Sequence, residues 1–174
     1  MPRPTMDTSM AERDATHEWP LPDEAATGAL AARLAESLHG GLVIYLHGPL
    51  GAGKTSFARA LLLALGVGER IKSPTYSLME GYVARGSPAW HLDLYRIADP
   101  GELEWLGLDA LADAAALVLV EWPERGVGAL PAADLELHLD YTGDGRHARM
   151  RAVTARGAGL LERMPKAGHA NPSN

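Results

Sequence analysis

The chain has no cysteine, which excludes disulfides and thiolate metal sites and fits a reducing cytoplasm. No apolar run approaches the ~18 residues that a membrane span requires, so no role inside a membrane is expected. The only asparagines are Asn171 and Asn174. An Asn-Lys-x-Asp guanine reader therefore cannot exist, and GTP specificity of the common kind is not expected. A basic surplus is missing too: formal net charge is −6, whereas a protein that grips nucleic acid unaided shows an excess of Lys and Arg. Residues 1–18 carry mixed charge without the apolar stretch of a secretory signal. They are expected to form a disordered tail, as is 164–174, rich in Pro, Gly, Ser and Asn. What remains, 19–163, is enough for one domain with its own core.

Charge is unevenly spread. Between Asp93 and Asp140 eleven acidic residues face only Arg96 and Arg125. From Gly145 onward Arg146, Arg149, Arg151, Arg156, Arg163 and Lys166 face only Glu162. Such polarity either marks solvated faces or lets a basic strand pair dock on an acidic partner or on RNA held by that partner.

Gly48-Pro49-Leu50-Gly51-Ala52-Gly53-Lys54-Thr55 is a complete G-x-x-x-x-G-K-[ST] loop. An apolar strand-like run, 42–46, precedes it and an Ala/Leu-rich helical segment follows, the context a phosphate-binding loop needs. Gly51 and Gly53 permit backbone conformations closed to residues with a Cβ, so successive N–H groups can converge on phosphate. The next helix contributes its N-terminal dipole, Lys54 suits the β- and γ-phosphates, and the Thr55 hydroxyl suits Mg²⁺.

Spacing predicts a helix over 22–38, with Leu30, Leu34 and Leu38 on one stripe, and another over 54–65, with Phe57, Leu61 and Leu65. Residues 76–82 and 90–95 read as a hairpin around a Gly/Ser/Pro turn at 85–88. Asp99, Pro100 and Glu102 have the spacing of N-cap, N1 and N3, which makes the two carboxylates structural. A buried strand, 117–120, leads to Glu121, and 135–139 returns through 150–153 as an edge hairpin. The expected fold is α/β: one P-loop NTPase domain, its mixed, mostly parallel sheet carrying helices on both faces and antiparallel edge hairpins.

Hydrolysis also needs metal ligands and a means of holding the attacking water. Glu121 ends a buried strand beside the loop, where a carboxylate can reach Mg²⁺. Asp93 shares a strand face with His91 and Tyr95, and either supports the metal and water or makes a plain salt bridge. Thr75, in the loop after the first P-loop helix, either senses the γ-phosphate or makes an ordinary turn. His47 and His91 are expected to be structural, and Trp90, Trp105 and Trp122 core or interface anchors.

Together with the phosphate loop, Lys72-Ser73-Pro74-Thr75-Tyr76, His91-Leu92-Asp93-Leu94-Tyr95-Arg96 and Val120-Glu121-Trp122-Pro123 resemble, in this order, the TsaE family of bacterial tRNA threonylcarbamoyladenosine biosynthesis. The similarity spans about residues 19–160. It implies a small cytoplasmic P-loop domain that binds ATP with Mg²⁺ and hydrolyses it weakly when isolated. The implied partners are the TsaB–TsaD pair, which modifies the adenosine beside the anticodon using a donor made by TsaC-type enzymes; tRNA would be met only indirectly. By this resemblance Leu50, Gly51, Ala52, Gly53, Lys54 and Thr55 bind the nucleotide, and Thr55 and Glu121 hold the metal. Asp93 and Glu121 become catalytic, and Thr75 a switch residue near the γ-phosphate. Glu24, Gly145 and Arg146 would lie by the nucleoside. A small-molecule kinase, or an assembly module that uses ATP as glue, remains compatible with the motifs.

Overall fold

Strands that are apolar on both faces belong in the middle of a sheet, and the two such runs of this chain lie there. The computed structural model describes residues 15–68 and 70–165. Its elements are β1 (Thr16–Leu21), α1 (Glu24–Ser37), β2 (Leu42–His47), α2 (Lys54–Ala64), β3 (Met79–Ala84) and β4 (Ser87–Asp93). Two 3-10 helices, Pro100–Leu106 and Leu108–Ala112, lead to β5 (Leu117–Glu121). A third, Pro123–Gly126, precedes β6 (Leu135–Thr142), β7 (Gly145–Ala152) and α3 (Ala155–Arg163). The seven strands form one sheet in the order β1-β7-β6-β2-β5-β4-β3. β2 pairs in parallel with β5 and β6, and β4 with β5, while the outer pairs β1/β7, β6/β7 and β3/β4 are antiparallel. Parallel pairing aligns the ends of β2, β4 and β5, so Asp93 lies in register with Glu121 beside the loop that leaves β2.

Helical cover exists on both faces but is unequal. On one face α1, α2 and α3 pack over Ile44, Leu46, Leu135 and Leu137, with Phe57, Leu61 and Leu62 fully buried. Burying side chains of this size contributes roughly 1.5–3 kcal/mol each. The opposite face carries a smaller core of Leu92, Leu94, Val118 and Val120 beneath Leu103 and Leu111 of the 3-10 helices. Among the described residues, no helix is long and apolar enough to cross a membrane.

Four expectations need correction. Residues 16–18, assigned to a tail, belong to β1, whose Trp19 and Leu21 are buried. This strand pairs along β7 and covers the hairpin expected at the edge. Pro20 within it is tolerated because the strand itself lies at the border of the sheet. Met164, the first residue of the other expected tail, is buried in the larger core; the remainder of both segments, 1–14 and 166–174, lies outside the described residues. The strand expected from Tyr76 begins at Met79, because the residues from Pro74 form a turn closed by Leu78 N–H donating to Pro74 O at 2.8 Å. α3 was not expected at all. Its two glycines weaken helix propensity, yet a Cβ on Gly157 would come within 1.9 Å of Asp134 O. Tertiary contact, not propensity, sets that helix in place.

Candidate functional site

The loop between β2 and α2 is shaped by close approach. A Cβ on Gly48 would meet Leu139 O of β6 at 2.3 Å. Gly51 and Gly53 have φ of 79° and 102°, the left-handed region that glycine enters without strain. Gly53 caps α2 without a side-chain hydrogen bond, so the helix's first N–H groups are left for an anion. Tyr141 of β6 donates its hydroxyl to Leu50 O at 2.8 Å and Arg146 of β7 donates to Gly51 O at 3.3 Å, bracing the loop from the side.

Lys54 is buried and folded back on the loop. Its Nζ donates to Gly48 O at 2.5 Å and Pro49 O at 3.0 Å, and lies 4.2 Å from the centre of the Trp122 indole. Burial pushes its ammonium below the usual lysine value, against the opposing pull of Glu121, Asp93 and Glu124. Trp122 reaches this position because its own φ is 57°, an uncommon conformation for a side chain of its bulk, which turns the backbone sharply after β5.

Thr55 Oγ1 lies 2.9 Å from both carboxylate oxygens of Glu121. Behind that carboxylate, His91 Nε2 contacts Glu121 Oε1 at 2.8 Å, with both side chains almost wholly buried. Asp93, its register partner, accepts a hydrogen bond from Tyr95 N at 3.0 Å. Burial raises the Asp93 carboxyl above its ordinary value; the bond from Tyr95 works against this and the Glu121 charge with it. The hydroxyl of Thr55 and the carboxylate of Glu121 form an all-oxygen donor set, the chemistry that Mg²⁺ prefers. The residues therefore fit that ion.

Two adjoining cavities flank the loop. One, of about 340 Å³, is lined by Lys54, Thr55, Thr75, Asp93 and Glu121, together with Tyr95, Arg96 and Trp122. The other, of about 300 Å³, is lined by Leu21, Pro22, Glu24, Thr27, Ala52, Gly145 and Arg146. They share Gly51, Gly53 and Ser56. Every residue that the resemblance assigns to the nucleotide, the metal or catalysis thus borders one cavity or the other. Thr75 hydrogen-bonds locally with Ser73, Oγ to Oγ1 at 2.7 Å.

Sequence reasoning overlooked several neighbours. Tyr141, whose hydroxyl holds the loop and whose ring lies 4.1 Å under the Arg146 guanidinium, carries no local signal in a polar strand end. Trp122, expected as a core or interface anchor, packs partly buried against the smaller core and also covers Lys54. Trp105, expected likewise, is 90% exposed. His91 is structural, as expected, but it acts on Glu121 itself. Asp99 and Glu102 form the expected capping box.

A family model described as "Threonylcarbamoyl adenosine biosynthesis protein TsaE" matches residues 21–150. Curated relatives described as tRNA threonylcarbamoyladenosine biosynthesis protein TsaE include one from Haemophilus influenzae, 38% identical over 146 residues, covering 81% of this chain and 92% of the relative. One from Mycobacterium leprae is 41% identical, covering 74% and 83%. One from Bacillus subtilis is 34% identical, covering 90% and 98%. Among solved structures, the crystal structure of Bacillus subtilis YdiB superposes with a TM-score of 0.71 at 29% identity, covering 86% of this chain and 93% of that one.

Proposed function

The chain belongs to the TsaE family of tRNA threonylcarbamoyladenosine biosynthesis, and on that premise we propose that it is a cytoplasmic ATPase whose nucleotide state controls its association with the TsaB–TsaD pair. The observation that carries the reading is the convergence of Thr55 and Glu121 at the base of the phosphate loop, with Asp93 in register alongside.

The glycine-rich loop and the open start of α2 cradle the phosphates with backbone N–H groups. Lys54 exchanges its two loop carbonyls for phosphate oxygens, which its position inside the loop allows. Thr55 and Glu121 would hold Mg²⁺, which would supply charge neutralisation on the phosphates. His91 keeps the Glu121 carboxylate aimed at Thr55. Asp93, made more basic by burial, is suited to orient a water and take its proton as the oxygen attacks the γ-phosphorus and the bond to the β-phosphate oxygen breaks. Glu24, Gly145 and Arg146 border the second cavity, where the nucleoside would sit. Thr75, on the wall of the first, is placed to respond to the γ-phosphate.

Unequal affinity of the partner pair for the ATP- and ADP-bound forms would bias the complex between two states, the only means by which a bound nucleotide can shift such an equilibrium. The test is ATP turnover by the purified protein, alone and with the TsaB–TsaD pair, alongside partner binding in each nucleotide state. A slow basal rate raised by the pair is expected. Turnover indifferent to the pair, with equal partner affinity in ATP and ADP, would overturn the proposal.

A further inference from the structure

Away from both cavities, the polar face of β2 and β6 gathers two imidazoles and a carboxylate. His47 and His138 are register partners on these parallel strands, and their rings stack with centres 4.5 Å apart and planes 10° from parallel. Glu136 lies two residues before His138 and so on the same face. Its oxygens are 4.0 Å from His47 Nε2 and 3.5 Å from His138 Nε2. One donor atom from each of the three residues lies within 4.8 Å of the others. A tetrahedral ion with bonds of ~2.0–2.1 Å needs donors about 3.4 Å apart, so the two imidazoles would have to turn about their soft torsions and unstack to converge on one ion.

The environment suits a metal better than an ordinary structural role. His47 Nε2 is buried and has no hydrogen-bond partner, whereas buried polar atoms are normally satisfied. Burial and the adjacent His138 hold the His47 imidazole below its usual value, against Glu136 and Glu124. Burial alone would raise the Glu136 carboxyl, but the hydrogen bond and charge of Arg151 hold it below the usual value. Arg151 occupies Oε2, at 2.6 Å, and leaves Oε1 on the side of His47. Glu124 Oε2 stands 4.0 Å from His47 Nδ1, on the side where metal-bound imidazoles usually keep a carboxylate.

We propose that His47, Glu136 and His138 form a binding site for a zinc-class transition metal, with the remaining coordination position open to water. Two imidazoles and one carboxylate are a zinc donor set, unlike the all-oxygen sets that Mg²⁺ and Ca²⁺ take. The guanidinium of Arg151 opposes the cation and keeps the affinity moderate. The location gives the site a consequence. His47 immediately precedes Gly48, and β6 also supplies Leu139, against which Gly48 packs, and Tyr141, which holds Leu50. An ion here would pin the two strands that shape the phosphate loop.

The full chain, stripped with a chelator, is titrated with Zn²⁺ against a colorimetric competitor and separately with Co²⁺. One ion per chain, the intense visible bands of four-coordinate cobalt and no competition from excess Mg²⁺ are expected. The chain has seven histidines, so substitutions must locate the ion. His47→Gln and His138→Gln should each weaken zinc binding by more than about 100-fold, beyond the loss expected from a mere supporting contact, with metal-free melting curves unchanged. Zinc affinity unaltered in both variants, or no stoichiometric binding by the unaltered chain, would overturn the proposal. Should the variants fold poorly, the cobalt spectrum of the unaltered chain decides, and a weak six-coordinate spectrum would reject the site. Neither outcome bears on the ATPase reading.

Discussion

At the scale of single residues, the cluster around Glu121 concentrates buried charge in a small space. Glu121→Gln keeps the shape of the side chain but removes its charge, and should reduce ATP turnover by about 100-fold or more, the scale of a lost charge contact in a transition state. A Gln that turned over normally would dismiss Glu121 from the chemistry. Asp93 offers a sharper test because its two roles pull in opposite directions. Its carboxyl is raised in the folded protein by burial, so between its unfolded and folded values the native state binds more protons. Stability from this group is greatest at acid pH and falls as pH rises through the folded value. Asp93→Asn should therefore melt above the unaltered protein at neutral pH while losing turnover, with the stability gap closing below the unfolded value. Thermal melts across pH, paired with rates, check this; a variant less stable at neutral pH with the gap unchanged in acid would contradict it.

At the scale of elements, Asp134 ties four segments together. Its carboxylate accepts from Val43 N of β2 at 2.9 Å and from the Thr154 hydroxyl at 2.7 Å, and its own backbone bonds Val43 O, Val153 N and Thr154 N. Asp134→Ala would leave the Val43 N–H without its acceptor and should cost about 2–4 kcal/mol, measurable by denaturant unfolding; a change under about 0.5 kcal/mol, the range of an ordinary surface substitution, would refute the role. This anchor was not legible in the sequence, because an aspartate before a strand looks like any turn residue. The phosphate loop, the two buried strands and the Asp99 cap were legible, since each is a local pattern with one physical solution. β1 and α3 escaped notice for the opposite reason. Thr16–Leu21 is polar and contains proline, and Ala155–Arg163 contains two glycines; both depend on surfaces made by distant chain. The site divides the same way: Lys54, Thr55 and Glu121 follow from motif and strand end, while Tyr141 and Trp122 depend on how β5 and β6 come to lie beside β2.

At the scale of the whole molecule, the sheet is finished by its first strand. Trp19 and Leu21 bury almost completely against the larger core. Removing residues 1–21 would forfeit about 4 kcal/mol of burial and lower Tm by about 10 °C, while leaving β7 as an unpaired border. Differential scanning calorimetry of the shortened chain tests this, and an unchanged Tm would show that β1 only rests on the domain. The pairing of Thr16 with Arg151 also has a temporal meaning. On the ribosome the strand that emerges first must wait, partnerless, until nearly the whole domain has been translated. Closing so long a loop is slow, and during that wait the exposed Trp and Leu are natural targets for a chaperone. Synthesis rate and chaperone supply, rather than intrinsic stability, would then set how much of this protein reaches its working form.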